Sequence, residues 1–141
     1  MDGDELQAFI DRYNAAWNDH DVDAIVSMHT DDSVFENHTT GDVNIGKEAI
    51  GKAITGIFAV FPDLSFEARS QYIRDDLVVQ EWTATATHSS TMRRGDIAAE
   101  PTQREVRWDG MDVIPFERGL VKRKDVYSDS VSILRQVGLL D

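Results

Sequence analysis

The chain has 141 residues, 26 acidic against 14 basic side chains, a formal net charge of −12 and no cysteine. This balance repels nucleic acid phosphates and anionic membrane surfaces, so neither is an expected partner, and no disulfide framework is available. The length fits a single domain over 1–141 with room for a core and a pocket.

The opening "MDGDELQAF" lacks the basic and apolar segments of a secretory signal, and no apolar run approaches the ~20 residues of a membrane span. A reducing cytoplasm is the expected location. From Asp4 to Asn18, the apolar residues Leu6, Phe9, Ile10, Tyr13 and Trp17 recur at helical steps and predict an amphipathic helix. Asp21 is placed to cap a short second helix carrying Val22, Ile25, Val26 and His29. A β-prone segment, Ser33 to Asn37, follows. After a polar stretch from Thr39 to Gly46, a third helix buries Ile50, Ile54, Ile57, Phe58 and Phe61 and stops at Pro62.

The remainder predicts strands over Leu64–Tyr72, Leu77–His88, Arg104–Phe116 and Leu120–Ser128, then a short helix with Val131, Leu134 and Val137 on one side. Ser89 to Gln103 is the only long connection in this half. Helices first and hairpin-linked strands after predict an α+β fold, with the N-terminal helices packed on a curved antiparallel sheet.

Three motif matches fail on inspection. Gly46 to Lys52 has the glycine and lysine spacing of a phosphate loop, but Ala53 stands where a hydroxyl must hold magnesium, and a helical apolar stripe runs straight through. Asn37-His38-Thr39 is a glycosylation sequon without a secretory signal. His20, His29, His38 and His88 have no paired ligand spacing, so no metal site is expected.

Alternation along the strands sorts the remaining polar residues. Val78, Gln80, Trp82, Ala84, Ala86 and His88 share a face on which small alanines leave room for a ligand. His88 is there either an acid-base group or a solvated strand-end residue. Asp112 falls among Val106, Trp108, Gly110 and Ile114, a setting that raises a carboxyl pKa, although on the residues alone an Asp paired with an arginine, or exposed if the pleat is reversed, is the favoured reading. The last strand aligns Val121, Arg123, Asp125, Tyr127 and Asp129, with Asp129 also placed to cap the final helix. Trp17, Phe58, Trp82 and Trp108 are core aromatics that can also line a pocket.

The stretch "RYNAAWNDHDVDAIVSMHTDDSVFEN", Arg12 to Asn37, resembles the opening of the ketosteroid isomerases. Together with "FPDLSFEA", "EWTATATH", "PTQR" and "YSDSVSILRQVGLL" it resembles the SnoaL-like polyketide cyclases, and both groups belong to the nuclear-transport-factor-2-like superfamily. The resemblance implies a cone with an apolar pocket, dimer formation, and cofactor-free acid-base chemistry on a polycyclic or otherwise apolar carbonyl compound. By its pattern Tyr13 matches a catalytic tyrosine, and Asp112 matches a protonated aspartate that helps to hold an enolate oxygen. Asn37 takes the position of the catalytic base, where an amide can orient a substrate but cannot carry a proton at neutral pH. Glu36 and His38 flank it on the opposite strand face.

His88 and Asp125 are then the candidates to move the proton, and Asn37, Tyr127 and Asp129 to contact substrate. Gln103 replaces a glycine expected after Pro101-Thr102. Two other readings remain open: a ligand-binding or dimerising module that lacks a working base, and a hydrolase that holds water between Asp, Asn and Tyr.

Overall fold

The computed structural model describes residues 1–141. Helix α1 spans Gly3–Asn18 and begins in a reciprocal cap, in which Asp2 accepts from the Glu5 backbone N–H and the Glu5 carboxylate accepts from that of Asp2. Its inward stripe is Leu6, Phe9, Ile10, Tyr13, Ala16 and Trp17. Helix α2, Val22–Ser27, is capped by Asp21 but stops before His29, which begins strand β1, His29–Asn37. The expected helical place for His29 is overridden by tertiary contacts. It pairs with Val121, and its ring is fully buried between Tyr13 and Ser33.

The polar stretch after β1 contains strand β2, Asp42–Ile45, where only a connection was expected. Its side chains are largely exposed, so no apolar alternation announces it. Asn37 shapes the turn by accepting from the backbone N–H groups of Thr39 and Thr40. Gly46 to Lys52, the phosphate-loop look-alike, forms the start of helix α3, Lys47–Val60, which turns Ile50 and Ile54 to the core.

Strands β3 (Ser65–Arg74) and β4 (Leu77–Thr87) form one hairpin. The connection after β4 is no open loop. It folds into a ribbon of β5, Met92–Arg94, and β6, Ile97–Ala99, turning at Gly95 with φ 59°. Strands β7 (Glu105–Glu117) and β8 (Leu120–Ser128) make the last hairpin, and α4, Ser130–Gln136, closes the chain behind an Asp129 cap.

The main sheet has the order β2-β1-β8-β7-β4-β3. Every neighbouring pair is antiparallel except β1 with β8, which run parallel, so the expectation of a wholly antiparallel sheet is corrected at one seam. The reason is that the first strand, delivered by two helices, docks beside the last. Register shifts within β1–β8, β3–β4 and β7–β8 bend the sheet around its helices. Helix α1 packs over β3, α3 over β1 and β2, and α4 over β7.

Candidate active site

The concave side of the sheet and the helices leave a cavity of about 390 Å³, within the range of small-molecule sites. Its walls are aromatic: Trp17, Phe35, Phe61, Phe66, Trp82 and Trp108. Trp17 centres the cluster, meeting Phe35, Phe58 and Phe66 edge to face at 6.1, 5.7 and 5.8 Å. Trp82 lies against β7 at Gly110, where an added Cβ would come within 2.3 Å of its ring. Met92 of the ribbon and Ile133 and Leu134 of α4 add to the apolar lining.

The polar groups of the cavity come from α1, β1 and the turn after it, β4, β7, β8 and the start of α4. Lys124 Nζ donates to Asp112 Oδ2 at 2.9 Å, and the side chains of the pair are 7% and 4% exposed. Gln80 Nε2 donates to the same oxygen at 3.1 Å, and Gln80 exchanges reciprocal amide hydrogen bonds with Asn14 at 2.9 and 3.0 Å. Asp112 Oδ1, by contrast, is buried with no hydrogen-bond partner. Burial opposes the charge on Lys124, but the fields of Asp112 and Tyr13 overcome it and hold the ammonium above its ordinary range. That ammonium also lies 5.2 Å from the Tyr13 ring centroid and 4.9 Å from that of Trp17. The floor is therefore an ion pair among aromatic rings, with one carboxylate oxygen left bare.

Asp112 thus has a basic partner, the alternative weighed against the neutral carboxyl. The partner is a lysine twelve residues away on the adjacent strand rather than an arginine, and Asp112 Oδ2 accepts from both its ammonium and the Gln80 amide. Tyr13 also departs from expectation. Its hydroxyl is 2.8 Å from His29 Nε2, with His29 Nδ1 2.9 Å from Ser33 Oγ, and it does not line the cavity. Burial, then the fields of Lys124 and Lys47, push His29 down to about 3, so its neutral ring accepts from Tyr13. Burial likewise raises the Tyr13 phenol, against the opposing charge of Lys124.

Trp17, Trp82, Trp108 and Asn37 line the cavity together with Asp112. Asn37 Oδ1 is committed to its turn, which leaves its NH2 group for a ligand. The structure does not bring the other sequence candidates there. His88 is buried beside the ribbon, where its Nδ1 accepts from the Thr102 backbone N–H at 3.3 Å and lies 3.0 Å from Thr102 Oγ1. Phe58 stacks on His20 at 3.9 Å behind Trp17. Asp129 caps α4 at the surface.

Asp125 and Tyr127 face the convex side of the sheet. There Asp125 bonds His38 Nε2 at 2.8 Å and Arg123 Nη2 at 2.9 Å, Glu36 bonds the same Arg123 nitrogen at 2.9 Å, and His38 stacks on Tyr127 at 4.5 Å. The ligand atoms of Glu36, His38 and Asp125 lie within 4.8 Å of one another, but a cation there would have to displace Arg123 from both acids.

Lys124 is a charged residue of the cavity that the sequence pattern does not single out. The odd residues of β8 form the face expected at the site, whereas Lys124, Val126 and Ser128 are the ones that turn inward. A lysine in register with apolar Val126, near an acid on the neighbouring strand, was the available signal.

The sequence profile of the SnoaL-like polyketide cyclases matches residues 7–137. The chain belongs to that family. Among solved structures, AclR from Streptomyces galilaeus, a candidate hydroxylase, superposes with a TM-score of 0.84 at 26% identity, covering 99% of this chain and 89% of its own. TsrD from Streptomyces laurentii gives 0.82 at 21% identity over 99% of both chains. IdmH from Streptomyces antibioticus, a candidate polyketide cyclase, gives 0.78 at 22% identity over 94% of this chain and 97% of its own. No curated protein sequence matches significantly. In this SnoaL-like chain no helix is long and apolar enough to cross a membrane.

Proposed function

We propose that this SnoaL-like protein catalyses cofactor-free acid-base chemistry on a small apolar carbonyl compound, either isomerisation or an aldol-type cyclisation. The observation that carries the reading is the unpartnered Asp112 Oδ1, buried on a cavity-lining carboxylate whose other oxygen is held by Lys124 and Gln80. Asp112 takes a proton from carbon next to a carbonyl, and the two electrons of that C–H bond pass to the carbonyl oxygen as an enolate. The Lys124 ammonium lies beside the carboxylate and stabilises that oxygen inside walls that exclude water. In cyclisation, the enolate carbon attacks a second carbonyl of the same molecule and Asp112 returns its proton to the new alkoxide. In isomerisation, the proton returns to a different carbon. Asn37 and the aromatic walls orient the substrate.

Exchange of the α-hydrogens of 2-tetralone, an apolar bicyclic ketone, for solvent deuterium tests this step without the natural substrate. The wild type should accelerate exchange, and Asp112→Asn should lower the rate by roughly 10²–10⁴-fold. A second reading, a binding module, is favoured by one observation: Asp112 and Lys124 are the only ionisable side chains lining the cavity. Thermal stabilisation by 2-tetralone with no exchange above the buffer rate would select it. The hydrolytic arrangement is not supported, because Tyr13 is tied to His29 away from the cavity. Exposed Tyr72 and Tyr127 on the convex face support a homodimer, which light scattering in solution would test.

A further inference from the structure

The acid-base reading leaves unexplained why one oxygen of the Asp112 carboxylate is buried without a hydrogen-bond partner while the other has two. A chain of amides ends on it. Gln7 Nε2 donates to Gln71 Oε1 at 3.0 Å, Gln71 Nε2 donates to Gln80 Oε1 at 3.1 Å, and Gln80 Nε2 donates to Asp112 Oδ2 at 3.1 Å. Asn14 locks the third amide from the side through its reciprocal pair. All three donations run in one direction, from α1 through β3 and β4 to the carboxylate on β7.

Gln80 has no second orientation that satisfies these neighbours. Turned over, its oxygen would oppose Asp112 Oδ2, and its NH2 group would meet the NH2 groups of Asn14 and Gln71. It is buried to 3% exposure, so water cannot repair such a mismatch. With Lys124 and Gln80 both on Oδ2, a partial rotation of the carboxylate about its Cβ–Cγ bond would break both hydrogen bonds. Lys124 alone would not prevent this, because a three-donor ammonium can follow either oxygen.

We propose that Gln80, oriented by Asn14 and Gln71, is the positioning residue that pins Asp112 Oδ2 and aims Oδ1 at the substrate carbon. The proposal rests on Asp112 acting as the base. Gln71 takes part although it does not line the cavity, which separates positioning from substrate contact.

The test compares wild type, Gln80→Leu, Gln80→Glu and Gln71→Leu by 2-tetralone exchange across pH and by the 13C signal of the Asp112 carboxyl carbon. Gln80→Leu should lower kcat about tenfold or more with KM changed less than about twofold, since misplacing a reacting group costs rate rather than binding. Gln80→Glu keeps acceptors for Asn14 and Gln71 but sets a second carboxylate against Asp112, so the acid limb of the rate profile should move to higher pH. Gln71→Leu should lower kcat by roughly two- to fivefold at unchanged KM, and it decides the matter if Gln80→Leu fails to fold.

Unchanged kcat in both leucine variants, or a rise in KM alone, overturns the proposal. If the wild type exchanges nothing, the acid-base reading has failed on its own. The carboxyl signal then still reads the network: displacement in both leucine variants supports positioning, and an unmoved signal overturns it.

Discussion

Strand β8 carries two ion pairs of the same length on opposite faces. Lys124 meets Asp112 at 2.9 Å toward the cavity, and Arg123 meets Asp125 at 2.9 Å on the convex surface. The first pair has side chains 7% and 4% exposed, the second 34% and 16%. Bond length therefore says little about consequence. Inside, each charge has given up its water and depends on the other, whereas outside solvent screens the pair and the long side chains lose entropy to hold it.

The sharpest way to break this contrast is to remove one inner partner. Lys124→Met should cost roughly 3–5 kcal/mol in a denaturant titration, because it leaves a buried carboxylate unpaired. Adding Asp112→Leu in the same chain should recover much of that stability while 2-tetralone exchange stays at the buffer rate. A full loss of stability in the double variant would mean that the pair contributes to the fold in its own right.

The same division separates two histidines, one at the start of β1 and one just past its end. His29, buried between Tyr13 and Ser33, is pushed down to about 3, whereas His38 lies on the convex side between Glu36 and Asp125. The unfolded chain protonates this histidine near 6.5 and the folded chain only near 3, so between those values unfolding takes up a proton. The stabilising preference for neutral His29 is fully present above pH 6.5 and is lost as pH falls toward 3. Stability should drop by about 1.4 kcal/mol per pH unit from this group in that window. His29→Gln, which can still accept from Tyr13 and donate to Ser33, should flatten that slope. An unchanged slope would show that carboxylates alone set the acid sensitivity.

The two faces also differed in what the sequence disclosed. Alternation put Gln80, Trp82, Trp108 and Asp112 on one inner surface, and each is buried there. Helical spacing likewise gave the buried stripe of α1. Strand β2 and the β5–β6 ribbon stayed hidden because they are short and mostly exposed, so hydrogen bonding and turn geometry shape them rather than apolar period. The Asp112–Lys124 contact was hidden for another reason. A lysine in an apolar strand has its meaning only when a particular acid on the adjacent strand is in register, and register is a tertiary fact. Tyr13 shows the opposite failure: its position on α1 was right, and its hydrogen bond went to a histidine expected on a helix.

The smallest effect belongs to the outer cluster, where the contrast is most exposed to failure. Burial of Asp125 works against its ionisation, but hydrogen bonds from Arg123 and His38 outweigh it and hold the carboxyl below the ordinary range. That contribution is present at neutral pH and is lost only as pH falls through the lowered value. Arg123→Ala should therefore cost at most about 1 kcal/mol at pH 7, and the cost should shrink further in high salt. It should leave 2-tetralone exchange unchanged, since Asp125 and its partners do not line the cavity. A cost of several kcal/mol, insensitive to salt, would mean that this surface is covered in solution and that the outer pair is desolvated like the inner one. Light scattering on the same variant would then distinguish an interface between copies, which Arg123→Ala should weaken, from a tightly closed surface cluster within one chain.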